Sequence, residues 1–378
     1  MERFSILTNI TASARKNYGP PSSWPLWSGL AFLSLFVWLS CTPFGGGAVS
    51  TSNQSPATAT PNLPKQPPYQ AGTMPALQFV SELKLAKLLP DDEVETDRLE
   101  ASGVQIVADN IYVVFDNLPH VARLNRDLSR FRLGRWLYHP DADSALGFED
   151  ITYNPHTERF YLLVEAVSID EEKDDDNDND DDDDDTFQSR VIESSVDVTT
   201  PTIHWLDFEF EHENKGFEGL AYLHRGGADY LLALCEGNKC RGGKKGRKSG
   251  GGRVHIFQKM AKTWMPAETL KLPKFLDFED YAAISIDSQH RVAIISQASS
   301  ALWIGELSAT EWAFVDAGTV YPFPTSADDE PLYCNVEGVS WLSDSQLVVV
   351  SDRAKKDQAD TCQTKDESIH VFELGRIE

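Results

Sequence analysis

The chain has 378 residues, of which 41% are hydrophobic, and its formal net charge is −25 at pH 7. A chain of this length and composition can bury a sizeable core, and its length alone is compatible with two or three domains. The negative charge excludes nucleic acid and anionic membrane surfaces as major partners, because both would repel the chain.

The first element along the chain is an apolar segment, WPLWSGLAFLSLFVWLS, at residues 24–40. Three basic residues precede it, and Cys41 follows it directly. A positive flank and an apolar run of this length predict an export signal or a short membrane anchor over residues 1–41. Cys41 stands where a bacterial lipoprotein carries its lipid, so three alternatives stay open: a lipoprotein, a cleaved signal and an uncleaved anchor.

Residues 42–75 are predicted to be a tether, because seven prolines between Pro43 and Pro75 keep this segment extended. The folded domain is then expected over residues 76–378. We expect the protein outside the cytoplasm, as a monomer that is either secreted or held in the cell envelope through its N-terminus.

A short phrase recurs in the folded domain: GFEDITY, GFEGLAY, DFEDYAA and NVEGVSW, with a fainter copy in RLEASGVQI. Each copy has a glutamate before an apolar segment that reads as a β-strand. Successive glutamates are 49, 69, 61 and 58 residues apart, and they are Glu100, Glu149, Glu218, Glu279 and Glu337. Self-similarity at such a period indicates a repeat architecture.

Each copy of the phrase is followed by a polar turn and a strongly apolar second strand: IYVVF, RFYLLV, YLLALC, RVAIIS or QLVVV. Four short strands per unit, without a helical period, predict an all-β fold, a β-propeller of four-stranded blades. The last unit holds three strands, and ALQFVSELKL at residues 76–85 would supply its fourth and cover the exposed edge. We predict five blades closed by this N-terminal strand, with six blades or a β-sandwich as alternatives.

In a propeller, the start of each first strand and the end of each second strand lie at the same rim of the central channel. The glutamates are therefore predicted to form a ring, with a second polar ring behind it: Asp116, Glu165, Glu236, Gln297 and Asp352. Two carboxylates about 5 Å apart repel by roughly 3 kcal/mol at an effective dielectric constant of 20. A hard cation, calcium above all, would compensate this repulsion. The alternative is that each glutamate accepts hydrogen bonds from the neighbouring blade and locks the ring.

Two insertions of opposite charge are predicted between the second and third strands of adjacent blades. Residues 170–185 hold 13 acids in 16 positions and read as a solvated, disordered run, with weak calcium binding as the alternative. Residues 239–253 hold seven bases among glycines. Both insertions should lie at the glutamate rim, where we expect them to attract each other or to gate access.

Four cysteines remain after Cys41, and outside the cytoplasm they can form two disulfides in three possible pairings. Cys334 lies three residues before Glu337, and Cys362 lies ten residues after Asp352. Both should be near the same rim, so we predict that they pair with each other. Cys235 and Cys240 are then predicted to pair locally.

The phrases LEASGVQIVADNIYVVFDN, KGFEGLAYL and VEGVSWLSDSQLVVVSDR resemble exported propellers grouped as SdiA-regulated and esterase-like phytase proteins. More distantly, they resemble calcium-activated nucleotidases (apyrases). The resemblance covers most of residues 98–378 and implies a calcium site on the five glutamates of the channel. We predict a propeller that binds calcium and presents its rim to a ligand or a protein partner; the alternative is a calcium-dependent phosphoester hydrolase.

Overall fold

The structure, a computed structural model, describes residues 75–90, 94, 96, 98–128, 134–138, 147–168, 186–211, 216–356 and 358–375. The predicted export segment with Cys41, the tether up to residue 74 and the acidic run at 170–185 lie outside the described residues. Within these ranges, no helix has the length and hydrophobicity needed to cross a bilayer.

The regular structure of the described residues is almost entirely β. In chain order, the strands are β1 (Leu77–Lys84), β2 (Ala101–Val107), β3 (Asn110–Phe115), β4 (Leu118–Asn125), β5 (Arg135–Tyr138), β6 (Asp150–Asn154), β7 (Arg159–Ser168), β8 (Phe187–Ser195), β9 (Thr202–Phe210), β10 (Phe217–Arg225), β11 (Ala228–Cys235), β12 (Arg253–Met260), β13 (Thr263–Lys271), β14 (Ala283–Ile286), β15 (Arg291–Ser296), β16 (Ala301–Glu306), β17 (Thr319–Pro322), β18 (Val336–Trp341), β19 (Gln346–Ser351) and β20 (Ser368–Leu374). The helices are single turns: α1 (Leu85–Leu88), α2 (Gly243–Gly246), α3 (Asp360–Gln363) and a 3-10 turn at Asn238–Cys240.

The strands group in fours that follow the chain. Two separate sheets have the orders β2-β3-β4-β5 and β14-β15-β16-β17, and a third has the order β1-β20-β19-β18. The remaining strands form one sheet of eight, β10-β11-β12-β13-β9-β8-β7-β6. This sheet consists of two antiparallel groups that meet at one parallel pairing, Trp264 of β13 opposite Leu206 of β9. The predicted all-β fold is confirmed.

The first strands of the five groups contact one another in a cycle: β2 with β6, β6 with β10, β10 with β14, β14 with β18, and β18 with β2. The second strands are buried along nearly their whole length, as in the VVF of β3 and the LVVVS of β19. Apolar clusters between neighbouring groups explain this burial; one joins Val114 of β3 to Phe160 and Leu162 of β7. Strands covered on both faces need continuous apolar sequence, which is the pattern seen along the chain.

The N-terminal strand pairs with the last strand of the chain. β1 is antiparallel to β20, from Leu77 opposite Leu374 to Lys84 opposite Ser368. Polar contacts of Glu82 connect β1 to the last strand. Lys365 donates a hydrogen bond to Glu82 (Nζ to Oε2, 2.7 Å). The ring of His370 lies 3.2 Å from Glu82 and 2.9 Å from the hydroxyl of Ser351. The segment predicted to complete the last four-stranded group therefore does so.

The Glu82 carboxylate is expected to stabilise this pairing in a pH-dependent way. Burial alone would raise the pKa of Glu82, but hydrogen bonds and charges from His370 and Lys365 outweigh it and lower the pKa from 4.5 to about 2. Such a group stabilises the fold above pH 4.5, and its contribution is lost as the pH falls toward 2. We expect Glu82→Gln to reduce the free energy of unfolding by about 1–3 kcal/mol at pH 7 and by less at pH 3. Urea unfolding at both pH values tests this, and an equal loss at both would contradict it.

Both predicted disulfides are present. Cys235 pairs with Cys240 across five positions of sequence, and Cys334 pairs with Cys362 across 28. The first holds the start of the basic insertion against the end of β11. The second closes the loop between β19 and β20 onto the segment before β18.

The long disulfide loop should contribute more to stability than the short one. In the chain-entropy description, closing a loop of this length contributes on the order of 3–4 kcal/mol. We expect Cys334→Ser with Cys362→Ser to reduce the free energy of unfolding by about that amount. The matched pair Cys235→Ser with Cys240→Ser should have a smaller effect. Denaturant unfolding of the two double variants measures the difference, and the opposite ranking would contradict the loop-length argument.

Candidate metal and ligand site

A register shift at the start of three first strands places one side chain from each strand in the same cavity. The pairing skips one residue between Ala101 and Gly103, between Phe217 and Gly219, and between Val336 and Gly338. A β-bulge re-aims the extra residue out of the ladder. The skipped residues are Ser102, Glu218 and Glu337, and all three line the same cavity.

Glycine follows each skipped residue because the first strands approach one another closely. A Cβ on Gly338 would lie 2.9 Å from the Cα of Gly103, and one on Gly219 would lie 2.8 Å from the backbone nitrogen of Ile284. Both distances are shorter than van der Waals contact. The Glu-Gly pair of the repeated phrase thus meets two requirements. The glutamate supplies a side chain to the cavity, and the glycine lets the backbone approach the neighbouring strand.

The cavity has a volume of about 330 Å³ and a predominantly acidic lining. Its walls are formed by Ser102, Asp116, Glu149, Glu165, Glu218, Glu236, Asp280, Tyr281, Ala282, Gln297, Glu337 and Lys355. We call this space the inner cavity. Three of the five predicted ring glutamates line it, as do Asp116, Glu165, Glu236 and Gln297 of the predicted second ring. Asp352 is not part of the lining, but it interacts electrostatically with Glu337.

Two predicted ring glutamates, Glu100 and Glu279, do not line the inner cavity. In the first group, the bulge residue directly before Gly103 is Ser102, and Glu100 lies two positions earlier. Glu100 forms an ion pair with Arg98 (Oε1 to Nη1, 3.0 Å). Glu279 is exposed and lies three residues before the cavity-lining Ala282. Both glutamates nevertheless lie beside the inner cavity, since Glu100 interacts with the lining residue Asp116, and Glu279 with Asp280. Aligning the repeats on the glycine rather than on the glutamate identifies Ser102 as the equivalent of Glu218 and Glu337, whereas the fourth copy of the phrase has no glycine to align.

Five lining residues are not among the predicted ones: Ser102, Asp280, Tyr281, Ala282 and Lys355. Ser102 would have followed from the glycine alignment. Asp280 adjoins Glu279 in the fourth copy of the phrase, and its carboxylate accepts hydrogen bonds from the Ser296 hydroxyl (2.7 Å) and the Ala298 backbone (3.0 Å). Lys355 belongs to the loop after β19, and no sequence signal marks it.

Burial and mutual repulsion make these carboxyl groups hold their protons. Burial, followed by the charges of Glu165 and Asp116, raises the pKa of Glu149 to about 8. The pKa of Asp116 is raised to about 8 by burial and by the charges of Asp352 and Glu100. Burial also raises the pKa values of Glu218 and Glu337 well above the ordinary range. Without a compensating cation, the group cannot be fully ionised at neutral pH.

Residues other than the glutamates also join neighbouring first strands by hydrogen bonds. The buried Asp150 accepts the backbone N–H of Leu220 at 2.7 Å, and Thr152 accepts that of Tyr222 at 2.9 Å. These bonds join β6 to β10. Between β2 and β18, the hydroxyl of Ser340 accepts the backbone N–H of Ile106 at 3.2 Å. The first strands are thus joined by side chains that lie within three positions of Glu149 or Glu337.

The donor set of the inner cavity fits a hard cation. Its lining residues carry seven carboxyl groups, two hydroxyls, one amide and one ammonium group, that of Lys355. Oxygen ligands of this kind are the ones that calcium prefers. The amide of Gln297 already orients one carboxylate by donating to Glu337 (Nε2 to Oε1, 2.6 Å). Asp116, Glu149, Glu218 and Glu337 are the candidate ligands. Among the described residues, no three carboxyl groups of this cavity bring ligand atoms within 4.8 Å of one another, so these side chains would have to move closer together to bind an ion.

A second space of about 440 Å³ adjoins the inner cavity; we call it the outer chamber. It shares Glu236, Asp280, Gln297 and Lys355 with the inner cavity. The basic insertion contributes Arg241 and Arg247 to its wall. The wall of the outer chamber therefore holds three cationic side chains beside three carboxylates, those of Glu236, Glu279 and Asp280.

The basic insertion is ordered around one buried side chain. The Asn238 amide donates to the carbonyl groups of Gly246 and Phe278, at 2.9 and 3.0 Å. Its oxygen accepts the Gly251 backbone N–H at 2.8 Å and the Tyr281 hydroxyl at 3.1 Å. Together with the Cys235–Cys240 disulfide, these bonds fix the insertion in the wall of the outer chamber.

Comparisons with known proteins do not assign a family. No protein-family model and no curated protein matches the chain. Among solved structures, a luciferin-regenerating enzyme superposes with a TM-score of 0.43 at 12% identity, covering 81% of this chain and 92% of the other. Glutaminyl cyclase from Myxococcus xanthus gives 0.45 at 8% identity, covering 81% and 99%. Regucalcin from Agrobacterium tumefaciens, described as calcium-binding, gives 0.43 at 11% identity, covering 80% and 98%. All three TM-scores are below 0.5, and the function is therefore argued from the site alone.

Proposed function

We propose that the chain is a five-bladed β-propeller closed by its N-terminal strand. The cyclic contact of the five first strands supports the blade number, and the pairing of β1 with β20 supports the closure. The inner cavity is then the rim end of the central channel, because the first strands begin there.

We further propose that this channel binds calcium and presents its rim to an anionic ligand or partner. The observation that carries the proposal is the convergence of carboxyl groups from separate strands on one cavity, where burial and repulsion raise their pKa values. A divalent cation would relieve this repulsion by offsetting two of the negative charges in the inner cavity. An anion in the outer chamber would contact Arg241, Arg247 and Lys355.

The second candidate is a calcium-dependent phosphoester hydrolase. The three basic side chains of the outer chamber favour it, because they suit a phosphate group placed next to the carboxylates. When bound, the metal would polarise a phosphoryl oxygen and lower the pKa of an attacking water. Arg241, Arg247 and Lys355 would bind and orient the phosphate, while Glu236 and Asp280 line the boundary between the two spaces.

Calcium titration of the full chain, followed by a substrate screen, tests both candidates. Isothermal titration should show calcium binding that Glu218→Gln with Glu337→Gln abolishes. The screen uses nucleoside di- and triphosphates, phytate and p-nitrophenyl esters with calcium present. Turnover that a chelator abolishes would establish the hydrolase, whereas calcium binding without turnover supports the binding role. A wild-type chain that does not bind calcium would contradict both.

We also propose that the chain is exported and held at the cell envelope through residues 1–41, with Cys41 as the candidate lipid attachment site. Metabolic labelling with a clickable fatty acid, compared between wild type and Cys41→Ala, tests lipidation. Label in the wild type that the variant lacks would support it, and equal labelling would contradict it.

A further inference from the structure

A second cluster of metal-binding atoms lies at the base of the basic insertion. It comprises the sulfur atoms of Cys235 and Cys240 and the ring of His255, whose ligand atoms lie within 4.8 Å of one another. The Sγ of Cys240 is 3.3 Å from the Nε2 of His255. The cluster is separate from the inner cavity and offers sulfur and nitrogen where that cavity offers oxygen.

The sheet register fixes these three side chains on one face. His255 of β12 lies opposite Ala233 of β11, and Cys235 follows Ala233 by two residues. Side chains two residues apart on a strand point to the same side, so Cys235 and His255 share a face. Thr269 lies opposite His255 on the other neighbouring strand, β13, and therefore also belongs to this face.

The imidazole of His255 is oriented as a metal ligand would be. The Thr269 hydroxyl lies 3.2 Å from Nδ1, while Nε2 points at the sulfur of Cys240. Phe208 packs against the ring at a centroid distance of 4.3 Å. A hydrogen bond at one ring nitrogen leaves the other to bind a metal, and this is the usual outer-shell arrangement of a histidine ligand.

We propose that the reduced form of this cluster is a Cys2His site for zinc or a similar borderline-soft divalent metal. Two thiolates, one imidazole and a water molecule complete the four-coordinate geometry that zinc prefers. The base of the basic insertion is then held in one of two ways, by the disulfide in the oxidised form or by a metal ion in the reduced form. Both hold the segment that carries Arg241 at the outer chamber.

A dithiol is the reductant that converts the disulfide form into the dithiol form of the cluster. One thiolate of the dithiol attacks Cys240, which is partly exposed, and the buried Cys235 leaves as a thiolate. The second thiol of the reductant then releases Cys240, and the reductant is oxidised to its cyclic disulfide. Binding of the metal displaces the two thiol protons.

Cobalt binding to the reduced full chain tests this proposal. The protein is reduced with dithiothreitol, freed of it by anaerobic desalting and titrated with Co²⁺. We expect a thiolate-to-cobalt charge-transfer band and tetrahedral d–d bands that saturate at one ion per chain and disappear when zinc is added. The oxidised protein should show neither band. His255→Asn should weaken the affinity by at least about 100-fold and Thr269→Val by about tenfold.

The other disulfide provides the matched control. Cys334→Ser with Cys362→Ser should bind cobalt as the wild type does, whereas Cys235→Ser with Cys240→Ser should not. Circular dichroism checks that each variant is folded, and the His255→Asn comparison needs no cysteine change. Absence of the charge-transfer band in the reduced wild type, or equal affinity in His255→Asn, would overturn the proposal. Because calcium does not compete for thiolates, failure here would leave the calcium proposal standing.

Discussion

Calcium is expected to raise the melting temperature of the wild-type protein by about 5 °C at a concentration 100 times its Kd. The physical reason is that the ion relieves carboxylate repulsion that exists only when the first strands surround the inner cavity. Magnesium should have a smaller effect, since it gives up its water ligands reluctantly. Differential scanning calorimetry at pH 8.5, with calcium, magnesium or a chelator, measures these shifts.

The double variant Glu218→Gln with Glu337→Gln should lose most of the calcium response. Without metal it should also be more stable than the metal-free wild type at pH 8.5, because the two glutamates must bind protons at a free-energy cost when the protein folds. A pKa raised by one unit corresponds to about 1.4 kcal/mol, which sets the scale of this gain. Glu311→Gln with Glu330→Gln removes the same charge from exposed positions and should leave the calcium response intact. A wild type that melts at one temperature with and without calcium would contradict the metal proposal. A loss of stability in the metal-free double variant would favour a locking role for the glutamates.

The sequence allowed the strand pattern to be predicted because the second strands are apolar for one physical reason. They lie between two neighbouring sheets, so both of their faces need apolar side chains. In a chain without a helical period, apolar segments such as QLVVV and RVAIIS therefore predict buried strands. The fourth strand of the last group was predictable for a related reason. ALQFVSELKL had no partner in its own unit, and the group formed by β18, β19 and β20 had an unpaired edge.

The position of the bulge could not be predicted from the glutamate alone. A glutamate before an apolar segment is common, and Glu100 matched the phrase without occupying the bulge. The glycine has the stricter requirement, because the Cα of the neighbouring strand leaves no room for a Cβ at Gly338. Ser102 could therefore have been identified from Gly103, whereas Ala282 could not, since no glycine follows it.

The ordered conformation of the basic insertion also could not be predicted from the sequence. Seven bases among glycines give no indication of order, yet Asn238 bonds to groups eight, 13 and about 40 residues away. One asparagine among many gives no signal of such partners. The local Cys235–Cys240 pair was predictable, because five residues of separation bring the sulfur atoms together in almost any compact loop.

Calcium affinity should depend steeply on pH, and this is the largest effect that we expect. Without metal, the pKa values of Asp116 and Glu149 are raised to about 8, so both carboxyl groups hold protons at pH 7. A calcium ion must displace those protons to bind. If one or two protons leave per ion, the apparent affinity rises tenfold to 100-fold per pH unit between pH 6 and 8. Calcium titrations in weakly buffered solution, with a pH indicator, count the protons directly.

The stability of the metal-free protein should change in the opposite direction. A carboxyl group whose pKa is higher in the folded state binds more protons there than in the unfolded chain. Its stabilising contribution is complete below pH 4.5 and is lost as the pH rises through 8. Glu82 has the reverse behaviour, since its pKa is lowered to about 2, so the two effects occupy separate pH ranges. Glu149→Gln should flatten the melting temperature between pH 6 and 9 and reduce the number of protons that calcium displaces. Calcium binding that is independent of pH across this range would show that the ion does not bind to these carboxyl groups.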